Sequence, residues 1–265
     1  MIRQILSDKS TKLFLVLGGF FIANALIAEI IGVKIFSLEK TLGFSPMEIK
    51  LFGNALSVNL TAGVLLWPVV FIMTDIINEY YGMKGVRFLS YLTAGLITFA
   101  FIIFFFAMRL TPADFFITSK QGSGVPDMEK AYNSVLGQGG FIIIGSLTAF
   151  ILGQLIDVFI FHRIKKATGE KSIWLRATGS TLVSQFIDSF VVLFIAFYIG
   201  TRVNQTGNDF VWPMSLFLAV GLVNYIYKFI VAVVLTPVIY LIHAAIEKYL
   251  GHEKAAEMKQ AAMAD

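Results

Sequence analysis

Hydrophobic positions in this chain neither alternate with polar ones nor form a narrow helical stripe; they run together in long blocks parted by short polar stretches. A helix needs about 20 residues to cross the hydrocarbon core of a bilayer. Six blocks qualify: 13–36, 54–78, 88–108, 139–161, 178–200 and 213–243. A membrane β-barrel would show a period of two over segments of about ten residues, and no such segments occur. The pattern predicts an all-α integral membrane protein, a six-transmembrane-helix bundle forming a single polytopic domain over 1–265. Pro68 is expected to bend the second helix and Pro237 to kink the sixth, whereas Pro213 suits a helix start. The longest loop, 110–138, holds a turn-like centre, "KQGSGVPD", followed by "MEKAYNSVLG", which reads as a short interfacial helix.

Composition agrees: 57% of residues are hydrophobic, 14% are charged, and the mean hydropathy is +0.78. A water-soluble domain of 265 residues would expose too much apolar surface at that composition. The first block continues directly into further residues without a small-residue cleavage site, so no cleavable signal is expected. The net charge of +4 bears on topology rather than on nucleic acid. Counting Lys and Arg outside the spans puts 13 on one side, including Arg3, Lys84, Arg87, Lys165, Lys171 and Arg176, and 6 on the other. The positive-inside bias then places both termini in the cytoplasm.

The absence of cysteine excludes a disulfide framework, a thiolate metal site and a cysteine nucleophile. The three histidines, His162, His243 and His252, lie at or beyond span ends. Neither an H-E-x-x-H motif nor a Walker motif occurs, so no catalytic residue, metal or cofactor is expected, and neither a hydrolase nor an ATPase.

Charges inside the spans change the picture most. Glu29, Lys34, Asp75, Asp157, Asp188 and Lys228 all fall within apolar blocks, where an exposed charge costs at least about 2.5–3.5 kcal/mol near the bilayer centre. Asp188 and Lys228 lie near the middle of their spans. Asp75 and Asp157 lie nearer the cytoplasmic ends, and Lys34 near the outer end as an interfacial anchor or a functional group. On the fifth span Thr181, Ser184, Gln185 and Asp188 share one helical face. On the fourth, Gly145, Ala149 and Gly153 make a small-residue ridge that allows close helix approach, with Gln154 beside it and Asp157 continuing it. Gly221, Asn224 and Lys228 share a face of the sixth span; Asp75 and Glu79 stand one turn apart on the second, with Asn78 adjacent.

Two readings follow. Asp188 and Lys228 could neutralise each other as a structural pair, but the Gln, Ser, Thr and Asn beside them favour a solute cavity. Such a cavity suits a small polar or cationic solute, including a planar heterocycle whose N–H groups pair with carboxylates and whose ring stacks on Trp67, Tyr225 or Tyr227. A coupling proton would suit the acids equally well.

Four segments then carry a resemblance: "WPVVFIMTDIINEYYG" (67–82), "GQLIDVFIFHRIKK" (153–166), "STLVSQFIDSFVVLFIAF" (180–197), and 222–240, with Leu222, Tyr225, Lys228, Thr236, Pro237 and Tyr240 at matching spacing. In order and placement they resemble the queuosine precursor transporter family, also described as vitamin uptake transporters. The opening "ANALIAEIIGVKIF" (23–36) is similar to that family's first-span element and brings Asn24 into the candidate site.

The resemblance covers nearly the whole chain. It implies an inner-membrane carrier that imports queuine and related 7-deazaguanine bases for transfer RNA modification. The alternative is a six-helix substrate-binding subunit driven by an external energising module. On this reading Asp188 and Gln185 read the base edge, while Lys228 orients Asp188 or binds the ring carbonyl. Gln154 and Asp157 form the cytoplasmic side of the site, Ser184, Asn224 and Asn24 complete it, and Asp75 with Glu79 acts in gating or coupling. The expected partners are the base and the lipid bilayer, and the small-residue ridge is compatible with a homodimer.

Overall fold

The computed structural model describes residues 7–169, 173–203 and 210–263, and is built almost wholly from helices. Arg3 and Lys171 of the charge count lie outside the described residues.

Helix α1 (Lys9–Ile31) starts at Asp8, whose side chain accepts the Thr11 amide at 2.8 Å. It ends at Gly32, four residues before the predicted boundary, so Lys34 sits in an exposed connection rather than in a span. Two small antiparallel sheets follow. Strand β1 (Ile35–Ser37) pairs with β4 (Asn59–Thr61), and β2 (Ile49–Leu51) pairs with β3 (Asn54–Leu56). The short helix α2 (Leu38–Thr41) lies between β1 and β2 and carries buried Glu39. The Glu39 carboxylate accepts the Val58 amide at 2.7 Å, which holds it below the usual carboxylate range and ties the layer together.

This layer corrects the second predicted span. Residues 54–66 form strands and a 3₁₀ turn (Ala62–Leu65), and helix begins only at Trp67. Pro68 therefore starts the helix instead of bending it, since a missing amide costs nothing in a first turn. Asn54, Asn59 and Thr61, which fall among apolar neighbours, pair across strands here.

Helix α3 (Trp67–Ala107) contains one break, at Gly82, with φ 68° and ψ −174°. That backbone region is essentially reserved for glycine. A Cβ at Gly85 would sit 3.7 Å from the Ile77 side chain, although eight residues of straight helix separate two positions by about 12 Å. The two arms therefore fold back on each other. Tyr81 donates to the Ser10 carbonyl at 2.7 Å, Leu89 packs on Gly18, and Met108 approaches Gly137. One end of the molecule, called the lower end, holds the start of α1 and the Gly82 turn. The upper end holds the β layer and both termini of α3. The loop predicted between the second and third spans is thus a single-residue break, and Lys84 and Arg87 are helical.

At the upper end α4 (Asp114–Thr118) and α5 (Met128–Gly137) follow, the latter over the segment read as interfacial. Then α6 (Gly140–Thr168) descends and α7 (Ile173–Leu193) returns. Helix α7 widens into a π-helical segment, Phe194–Ile199, before the short α8 (Gly200–Val203). The ridge on α6 is used inside the bundle: a Cβ at Gly145 would lie 3.2 Å from the Ala196 amide, and Gly153 abuts Asp188. That packing leaves the ridge unavailable to a second copy.

Helix α9 (Met214–Leu250) starts after Pro213 and runs through Pro237, and α10 (His252–Met263) packs back on α3. Among the described residues five helices are long and apolar enough to cross a membrane, α3 with both its arms counting as one. The apolar core, centred on Phe21, Ala25, Val70, Ile76, Ile97 and Val158, joins α1, both arms of α3 and α6.

Candidate functional site

A narrow cavity opens among the first arm of α3, α7 and α9, leaving about 40 Å³ for the centres of water-sized molecules. Trp67, Pro68, Phe71, Ile72 and Asp75 form the α3 wall, and Thr178, Thr181 and Gln185 the α7 wall. Tyr227, Lys228, Val231 and Leu235 come from α9, and Val64 of the 3₁₀ turn closes the upper side. Helical spacing aligns these groups: Thr181 and Gln185 are one turn apart, as are Trp67 and Phe71, and Phe71 and Asp75. Most of the lining is apolar, as expected for a small-molecule pocket with a few fixed polar groups.

The polar groups differ in what already holds them. Lys228 donates to Asp188, and both are about one-fifth exposed. Thr178 and Thr236 share a hydrogen bond at 3.1 Å. Gln185 is 3% exposed, and neither its oxygen nor its nitrogen has a partner among the described residues. Asp75 is 2% exposed, and its Oδ1 is likewise without a partner.

Ser184, although on the same α7 face as Gln185, donates to Asp157 Oδ1 at 3.0 Å and does not line the cavity. Asp157 is fully buried in that helix contact. Gln154 accepts from Thr74 at 2.9 Å, linking α6 to the cavity-bearing arm of α3. Asn24 donates to Phe20 in its own helix at 2.8 Å, and neither it nor Asn224 is among the lining residues. Of the aromatic candidates, Trp67 and Tyr227 line the cavity, whereas Tyr225 packs edge-on against Phe186 at 5.2 Å.

Below the cavity, Glu79 is fully buried and paired twice. Arg176 donates to it at 2.7 Å, and Lys165 lies 3.3 Å from its other oxygen while donating to its backbone carbonyl at 3.0 Å. Arg176 also reaches the Gly169 carbonyl at 2.8 Å. Both cations read as loop charges in the sequence, yet each is only 1% exposed. Their signal was Glu79 itself, an acid in an apolar helix that needs a cation, but nothing in the chain specifies which. Beside them Tyr80 and His243 share a hydrogen bond at 3.1 Å, and Lys259 of α10 pairs with Glu247. Another buried acid, Glu29, accepts from Ser146 near the upper end, while Gln138 caps its backbone carbonyl at 3.0 Å. Glu29 was identified as an intramembrane charge but not placed in the site, and it does not line the cavity.

Among the described residues no group of three or more His, Asp and Glu side chains is placed to hold a metal ion. Residues 61–242 match the family described as "Putative vitamin uptake transporter". Similar proteins include the "Probable queuosine precursor transporter" of Bacillus subtilis, 28% identical over 72% of this chain and 73% of that one. The protein of the same name from Haemophilus influenzae is 25% identical over 69% and 67%. The "Queuosine precursor transporter" of Escherichia coli is 24% identical over 68% and 71%. No solved structure matches the chain. With well over half of its length matched, the chain belongs to this vitamin uptake transporter family and is a multi-pass protein of the bacterial inner membrane.

Proposed function

We propose that this chain imports queuosine precursors, namely queuine and related 7-deazaguanine bases, through the cavity between α3, α7 and α9. One observation carries the reading: Asp75 and Gln185, whose buried polar atoms lack partners among the described residues, line a pocket walled by Trp67, Phe71 and Tyr227. A flat heterocycle with N–H donors and a carbonyl acceptor complements such walls and such edges. The names of the relatives supply the substrate class.

The chain crosses the membrane six times, through α1, each arm of α3, α6, α7 with its π segment, and α9. The first arm alone is only about 22 Å long, and non-helical residues 54–66 extend it towards the upper surface. Lys9, Lys12, Lys84, Arg87, Arg163 and Lys166 gather at the lower end, which is cytoplasmic and carries both termini. There Glu79, Lys165 and Arg176 form a closed inner gate, while Lys228, held by Asp188, lines the cavity beside Gln185.

A host unable to make the precursors, expressing this chain and supplied with each base in turn, tests the reading. Queuosine should reappear in its transfer RNA with at least one base. Membrane expression without any restoration would overturn the substrate assignment.

A further inference from the structure

The intramembrane acid nearest the middle of the fifth span, Asp188, reads from the sequence as the group that meets the base. The structure shows that its charge is already committed to Lys228. Asp75 differs: it is buried, it lines the cavity, and its Oδ1 has no partner among the described residues. Opposite it on α7, Gln185 presents a carboxamide with both ends unpartnered.

We infer that Asp75 and Gln185 are the pair that holds the base, Asp75 selecting a ring edge with a lactam N–H beside an exocyclic amino group and Gln185 adding affinity for the adjoining carbonyl. The inference rests on the transport reading above and names the part of the base that is recognised. A carboxylate offers acceptors only, and two adjacent N–H donors satisfy its two oxygens together. A carboxamide both donates and accepts, so the Gln185 nitrogen donates to the ring carbonyl that adjoins the lactam N–H. Trp67, Phe71 and Tyr227 supply the apolar walls that hold the ring in plane with these groups. A buried polar atom left without a partner is costly, so a ring lacking one donor is rejected more strongly than its lost contact alone implies.

Two probes differ only in that donor: 7-deazaguanine and 7-deazahypoxanthine, which lacks the 2-amino group. Binding of each to the purified full-length chain is measured by calorimetry, with thermal unfolding as a check on folding. The wild type should prefer 7-deazaguanine by about 30-fold or more. Asp75→Asn should bring the two within about threefold, whereas Asp188→Asn should keep the preference. Gln185→Leu should weaken both rings by about tenfold or more and keep the preference between them. Failure of the wild type to bind either ring would count against the transport reading itself. Binding of both rings without preference, or an Asp75→Asn protein that still discriminates, would overturn this inference alone. If Asp75→Asn does not fold, Gln185→Leu decides, because unchanged affinity there overturns the pair.

Discussion

Asp75 and Glu79 stand one turn apart on the same arm of α3, both fully enclosed, yet they have opposite fates. Glu79 is held by Lys165 and Arg176 from α6 and α7, and its carboxylate is fixed in a dry helix contact. Asp75 lines a cavity, and its Oδ1 has no partner among the described residues. The first acid works on the protein itself: removing it would leave two cations stranded. The second holds an unmet demand for hydrogen-bond donors, which a ligand can satisfy. In a membrane helix, burial alone does not separate a structural charge from a binding one; the partners already present do.

That contrast can be broken in order of expected effect. Glu79→Ala should cost about 3–5 kcal/mol in detergent unfolding, because Lys165 and Arg176 would remain buried without a counter-charge. A loss below about 1 kcal/mol would show that the cluster is dispensable. Asp188→Asn should cost about 1.5–3 kcal/mol, less than Glu79 because its pair is about one-fifth exposed. The exchange Asp188→Lys with Lys228→Asp should recover part of that loss, and no recovery would argue against a direct pair. Thr74→Val, which removes the hydrogen bond to Gln154, should lower stability by about 0.5–1.5 kcal/mol, measured in the same unfolding assay. Asp75→Asn should change stability by less than about 1 kcal/mol in either direction, since no ion pair is lost. A loss as large as that of Glu79→Ala would place Asp75 with the structural charges and erase the distinction.

Much of this arrangement was legible in the residues. The period of 3.6 puts Thr181 and Gln185 on one face, and both line the cavity. Opposite signs at Asp188 and Lys228 in neighbouring apolar helices left pairing open as one of two readings, and the two side chains do pair. The ridge at Gly145, Ala149 and Gly153 forecast a close approach, although the neighbour that fills it is α7. Three things stayed hidden, each for a physical reason. Residues 54–66 are as apolar as the helix they precede, so hydropathy cannot mark where strand pairing and a 3₁₀ turn replace it. Lys165 and Arg176 lie at the polar ends of their helices, where solvent exposure is the ordinary outcome, and only the tertiary position of Glu79 draws them inside. Ser184 shares the face of Gln185, but the helix contact with Asp157 claims its hydroxyl, which spacing along one helix cannot show.

Straightened, α3 would be about 60 Å long, twice the roughly 30 Å of a hydrocarbon core. The backbone at Gly82, in a conformation other residues adopt only with strain, makes the chain double back instead. A single torsion angle therefore fixes whether this stretch contributes an odd or an even number of passages. Every later helix direction, every following loop's compartment and the side of the membrane reached by the carboxyl-terminus inherit that parity from one residue with no side chain.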